Sequence, residues 1–272
     1  MTDLERIQRL RLLDDDFMRV IFQDWNCCQL LLEILLDRTD FKIVNLQTQK
    51  DLKNLYGKSI CLDVWIQTNQ KQTINIEVQR NKEGALPKRA RYHASLMDMH
   101  TSISDGKYRN LEEMYVIFIT ETDVLNQDLP IYHIDRKIEE TNTSFNDGMH
   151  IVYVNADIQE DTNLGHLMYD FQCTRADDMH YDVLKERVKY FKEDEGGIRY
   201  MCEIWDEVRQ EGIELGKEQG IELGKEQGIE LGKEQNQTQT VLNLWNEGIQ
   251  DLELIQKISG LSKERVQTIL KL

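Results

Sequence analysis

Hydrophobic spacing along the chain switches between the period of a helix and that of a strand. Over residues 15 to 37, DDFMRVIFQDWNCCQLLLEILLD, Phe17, Val20, Ile21, Leu31, Leu32 and Leu35 recur at helical intervals and predict one helix, opened by Asp14, Asp15 and Asp16. FKIVNLQTQ (41–49) predicts a strand, and ICLDVWIQTNQKQTINIEVQR (60–80) two more, joined through Asn69, Gln70 and Lys71. KRARYHASLMDMHTSIS (88–104) predicts a second helix, and the apolar run MYVIFIT (114–120) a strand covered on both faces. Further strands are expected at 131–138 and 150–155, then helices over NLGHLMYDFQC and YDVLKERVKYFKE. Helix, three strands, helix, strand is the order of an α/β domain with a mixed sheet, here over residues 1–200.

The hairpin carries the chemistry. Alternation puts Ile60, Leu62, Val64 and Ile66 on one face and Cys61, Asp63 and Trp65 on the other; Ile74, Ile76 and Val78 oppose Asn75, Glu77 and Gln79. Both apolar sets must share the core side, which fixes the parity of the register, and the three-residue loop then sets Asp63 across from Glu77. Opposed side chains have β-carbons about 5 Å apart, so two acids there repel unless something positive intervenes. Two readings fit: a solvated outer face where the acids meet water or Lys71, or an oxygen-ligand site for Mg2+ or Mn2+.

Charge shifts the picture. The formal net charge of −16 argues against diffuse attraction to nucleic acid. Yet RNKEGALPKRAR (80–91), directly after the Glu77–Gln79 strand, carries Arg80, Lys82, Lys88, Arg89 and Arg91 against Glu83 alone. Bases beside two carboxylates suit a phosphodiester: cations hold phosphates while a metal polarises one and activates water. Tyr92 and His93 follow, placed to position or stack. The five cysteines form no CxxC, as expected of reduced thiols, and no P-loop, GxGxxG, HExxH or GxSxG occurs. The start has no apolar signal core and no run is long enough for a membrane span, so a cytoplasmic protein without a membrane partner is expected.

Asp63, followed after thirteen residues by Glu77-Val78-Gln79 on the adjacent strand, resembles the motif of the PD-(D/E)XK nuclease superfamily. The series DDDFMRVIF, LQTQKDLKNLYGKSICLDVWI, NIEVQR, PKRARYHASLMD, YVIFITETD, LPIYHI and HIVYVN, over roughly residues 10 to 200, more closely resembles the PD-(D/E)XK nuclease family transposases, the recombination-promoting nuclease (Rpn) group. The resemblance implies a restriction-endonuclease-like mixed sheet with an αβββαβ core, flanking helices and an all-α C-terminal extension. It implies metal-dependent hydrolytic cleavage of DNA, double-stranded, with Asp63 and Glu77 binding Mg2+ or Mn2+ and Asp16 completing the site. Gln79 stands where the motif usually has lysine; Arg80, Lys82, Lys88, Arg89, Arg91 and Tyr92 make up the nucleic-acid contact. Glutamine brings neither charge nor proton, but it orients water or a phosphate oxygen by hydrogen bonds, and this group commonly has ExQ here. No residue here speaks for strand transfer. The rival readings are a relative that holds nucleic acid without cutting it and a scaffold that self-associates through its tail.

That tail contains GIELGKEQ three times, at 212–219, 220–227 and 228–235. An eight-residue repeat turns its apolar pair about 80° around a helix per copy, so no seam survives and a solvated helical spacer over 201–235 is expected. Residues 236–272 regain amphipathic order, with a glycine cap at Gly248, a turn at Gly260 and a cap at Ser262. They read as a small helical hairpin, either a packing and homo-oligomerising element or a helix-turn-helix.

Overall fold

The computed structural model describes residues 2–54, 56–101 and 107–272. Two compact units divide the chain, Met1–Trp205 and Asp206–Leu272.

The first unit opens with three short helices: α1 (Asp3–Arg9), α2 (Asp15–Ile21) and α3 (Trp25–Leu35). Helix α1 was not expected, although Thr2 and Glu5 form a capping box at its start. The single helix expected over 15–37 is two, because the Asp24 side chain accepts from the backbone N–H groups of Asn26 and Cys27 and starts a new one. Three antiparallel strands follow: β1 (Ile43–Leu52), β2 (Ile60–Thr68) and β3 (Gln72–Gln79). Helix α4 (Pro87–His100) has proline in its first turn, where a missing N–H costs nothing. Residues 102–104 of the helix expected here lie outside the described residues.

Helix α4 crosses over to β4 (Glu113–Thr120), which lies parallel to β3. The strand expected over 131–138 is shorter, because β5 (Ile131–Ile134) ends before β6 (Lys137–Ile138), which pairs with β7 (Thr143–Ser144) in a separate hairpin. Strand β8 (Met149–Asn155) runs parallel to β4 and antiparallel to β5. The six-stranded mixed sheet has the order β1-β2-β3-β4-β8-β5. Helices α5 (Asn163–Gln172) and α6 (Asp182–Glu193) then complete the layer formed by α2 and α3. This is an α/β fold consistent with PD-(D/E)XK.

Both faces of the sheet are covered. Trp65, Val116, Phe118 and Tyr153 pack with Ala90, Ala94 and Met97 of α4. Val64, Ile66, Ile76, Ile117 and Val152, on the opposite face, are also buried. Strand β3 is therefore buried from Gln72 to Val78, polar residues included. Strict alternation along β2 breaks at Asp63: Ile60 and Leu62 join the cluster that contains Trp65, rather than the face of Val64. Opposite the break, Gln49 has φ 53, with the β1–β2 register unchanged on either side of it.

Helix α7 (Glu195–Asn246) carries the three repeats; its Ile213, Ile221 and Ile229 are exposed. In the second unit, α8 (Leu252–Ser259) and α9 (Lys263–Leu270) bury Ile255 and Val266 with Val241. Gly260 takes the left-handed conformation that ends α8, φ 70, and Ser262 caps α9. Among the described residues no helix is long and apolar enough to cross a membrane.

Candidate functional site

The β2–β3 hairpin closes through Lys71, whose φ of 58 lets the loop of three residues turn back. Its pairs run from Gln67↔Thr73 to Val64↔Ile76, and Asp63 and Glu77 stand just beyond the last of them. There the two side chains take over from the ladder. Asp63 Oδ2 accepts the backbone N–H of Val78 at 3.2 Å, while the Glu77 carboxylate accepts the backbone N–H of Asp63. Gln49 donates its side-chain amide to Asp63. Each acid is thus tied to the opposite strand, and neither can swing away.

Placing both acids inside the sheet raises their proton affinity. Burial pushes the Asp63 carboxyl up to about 6, with the charge of Asp15 adding to it. Burial and then the charge of Asp63 push Glu77 up to about 8. Arg89 opposes both shifts. Its Nη2 lies 2.9 Å from Glu77 Oε2, and Asn75 Nδ2 donates to Glu77 Oε1 at 3.0 Å. The ring of His93 stands beside them, with Nδ1 3.5 Å from Glu77 Oε1. Burial and the charge of Arg89 lower its pKa to about 4, so His93 is neutral. Gln79, at the end of β3, packs its side-chain oxygen against Gly84; a β-carbon on that glycine would lie only 2.0 Å from it. A larger residue at position 84 would require the Gln79 side chain to move.

The remaining residues expected at the site separate into groups. Asp16 stands at the start of α2, but the acid of that run whose charge reaches Asp63 is Asp15. Arg80 bridges Asp14 and Glu121, at 2.9 and 3.0 Å, and Lys82 donates to Asn126. These two bases brace the ends of β3 and β4 against their neighbours. Lys88, Arg89, Arg91 and Tyr92 instead line a groove of about 840 Å3 together with Lys58 and His93. The Tyr92 hydroxyl accepts from Asn54 and donates to the Lys58 carbonyl, which ties the 53–59 loop to α4. The groove therefore has four cations on its walls and Glu77, through Arg89 and His93, next to it.

The pattern of the chain did not single out Lys58, Asn75, Gly84 or Asp15. Only the fold brings Lys58 to α4, and Asn75 reads as one more polar residue until α4 covers it. Among the described residues, no group of three or more His, Cys, Asp or Glu side chains is placed to hold a metal ion.

Comparison with curated proteins and with solved structures returned no match. The family model for PD-(D/E)XK nuclease family transposase matches residues 26–164, a little over half of the chain. The match runs from α3 to the start of α5 and takes in the hairpin, Asp63, Glu77, Gln79 and all of α4. The family implies DNA as the substrate. By this match, and with the mixed sheet and the paired acids in place, the chain belongs to the PD-(D/E)XK nuclease family transposases.

Proposed function

We propose that the protein is a Mg2+- or Mn2+-dependent DNA endonuclease of the recombination-promoting nuclease type. The observation that carries this reading is the carboxylate pair itself: two acids locked across neighbouring strands, both with raised proton affinity, beside a groove walled by Lys58, Lys88, Arg89 and Arg91. Asp63 and Glu77 fit a hard divalent cation, since Mg2+ commonly takes one or two protein carboxylates and fills its remaining positions with water and substrate phosphate. The chemistry such an ion brings is Lewis acidity toward a phosphate and toward water.

The chain's own residues do the rest. Lys88 and Arg91, exposed on α4, hold backbone phosphates on either side of the cut. Gln79, beside Gly84, orients water or a phosphate oxygen through its amide. In the hydrolysis a water oxygen bonds to phosphorus, one P–O ester bond breaks, the departing alcohol takes up a proton, and the new phosphate sheds one to solvent.

A second reading, DNA holding without cutting, draws support from the Arg89–Glu77 ion pair, which sets a protein cation against one of the two acids. Closed circular plasmid separates the two. The nuclease converts it to nicked and linear forms in Mg2+ or Mn2+ and leaves it intact in EDTA. A plasmid that is bound with a steep salt dependence but never opened in any divalent metal overturns the proposal.

A further inference from the structure

Charge develops on the phosphate during hydrolysis, and fixed positive groups aimed at it are among the largest contributions to such catalysis. Strand β3 offers none, because Gln79 is neutral. The cation that meets Glu77 comes from α4. Arg89 sets Nη2 2.9 Å from Glu77 Oε2, Nη1 2.7 Å from the Gly84 carbonyl and Nε 3.2 Å from His93 Nε2. A guanidinium has five N–H donors in one rigid plane. Those contacts use three of them, one on each nitrogen, and leave one on each terminal nitrogen. The side chain is 35% exposed and lines the basic groove, so the remaining donors are open to a ligand there. Two free N–H groups on one guanidinium form the fork that grips two oxygens of a phosphate.

The holder of that fork is equally defined. His93 lies four residues after Arg89 on α4 and is 2% exposed. Its Nε2 accepts from Arg89 Nε, and its Nδ1 faces Glu77 Oε1 at 3.5 Å. Phe118 lies under the guanidinium, 5.9 Å from its carbon, and completes the seat. The surface neighbours Lys88 and Arg91 are exposed on the same helix.

Resting on the nuclease reading, we infer that Arg89 is a catalytic residue that grips the phosphate under attack, taking from α4 the part that a lysine at position 79 would take from β3. His93 is the positioning residue that fixes its plane.

The test uses the full chain and a DNA duplex in which one backbone phosphate at a time is replaced by an uncharged methylphosphonate. In EDTA, one such replacement weakens wild-type binding about tenfold, and the same replacement leaves Arg89→Ala unaffected. Lys88→Ala keeps the full sensitivity. In Mg2+, Arg89→Ala lowers the cleavage rate at saturating DNA on the order of 100-fold, and guanidinium ion restores part of it. Lys88→Ala and Arg91→Ala instead raise the DNA concentration needed for saturation. His93→Ala lowers the saturated rate about tenfold and adds nothing to Arg89→Ala, as expected of two residues acting as one unit. If Arg89→Ala does not fold, Arg89→Lys carries the same comparison, since it keeps the charge and loses the fork.

The inference is overturned if no phosphate becomes silent in the Arg89 variant, or if that variant changes only the saturating concentration, as Lys88→Ala does. A wild-type protein that shows the Arg89-dependent phosphate but never cleaves leaves this contact standing and removes the hydrolytic reading. Cleavage without that phosphate does the reverse.

Discussion

Glu77 is fully buried, and yet it is asked to carry charge. In the metal-free protein its proton affinity, and that of Asp63, is raised mainly by burial, to about 8 and about 6. Unfolded, the two titrate near 4. Between those values the folded chain binds more protons than the unfolded one, so stability is lost as pH rises from about 4 to about 8. Thermal unfolding in EDTA is therefore expected to shift to lower temperature from pH 5 to pH 8.5. Asp63→Asn, which keeps an acceptor for the Val78 N–H, should flatten that fall and stabilise the protein at pH 8 on the order of 2 kcal/mol. Mg2+ should raise the midpoint more at pH 8 than at pH 5, because at pH 5 it must displace protons from both acids. A pH profile that is the same in Asp63→Asn would show that Asp63 carries no raised proton affinity in the folded chain. At this scale the three-residue loop made the register legible as far as Val64↔Ile76, while the break in alternation at Asp63 was not. The Arg89–Glu77 contact was not legible, since the pattern of α4 does not fix its rotation over the sheet. Asp15 and Asp16 differ by about 100° around a helix, and only the packing of α2 chooses between them.

The elements show where periodicity misleads. Alternation along β3 separates Asn75, Glu77 and Gln79 from the apolar set, the signature of a sheet with one wet face. The structure covers that face with α4, and the polar side chains find partners in one another and in Arg89 and His93. The continuous apolar run of β4 announced the double cover; β3, one strand away, did not. Asp24 ends the long helical pattern at 15–37 by capping, a local signal that the surrounding hydrophobic period obscures. In α7 the repeated glycines have no atom within 4 Å of a β-carbon built on them. Replacing Gly220, Gly224 and Gly228 together by alanine should then strengthen the helix by about 1 kcal/mol each. Circular dichroism on heating would show the gain as helical signal retained to higher temperature. A loss would mean that another chain packs against these glycines.

Across the whole molecule, charge is divided by place rather than by amount. A chain with net charge −16 concentrates Lys58, Lys88, Arg89 and Arg91 in one groove, and on the proposed function it is this local field that a DNA backbone meets. The two compact units have separate cores: the sheet and its helices in Met1–Trp205, and Val241, Ile255 and Val266 in Asp206–Leu272. The family match lies wholly in the first. A chain ending at Trp205 keeps Met201 and Ile204, the buried residues of early α7. It should unfold cooperatively and cleave at the rate of the full chain, while sedimenting as a smaller species than its mass difference alone gives. Loss of cleavage in the shortened chain would place part of the site in the tail.

The central claim is that Asp63 and Glu77 together make a metal-dependent hydrolytic site. Plasmid nicking tests it most directly, with wild type beside Asp63→Ala and Glu77→Ala, each folded by circular dichroism and each assayed in Mg2+, Mn2+ and EDTA. The account predicts nicking by wild type in either metal, none in EDTA, and a loss of at least about 100-fold in both variants. A variant that lacks either carboxylate and still nicks at the wild-type rate in Mg2+ would contradict it.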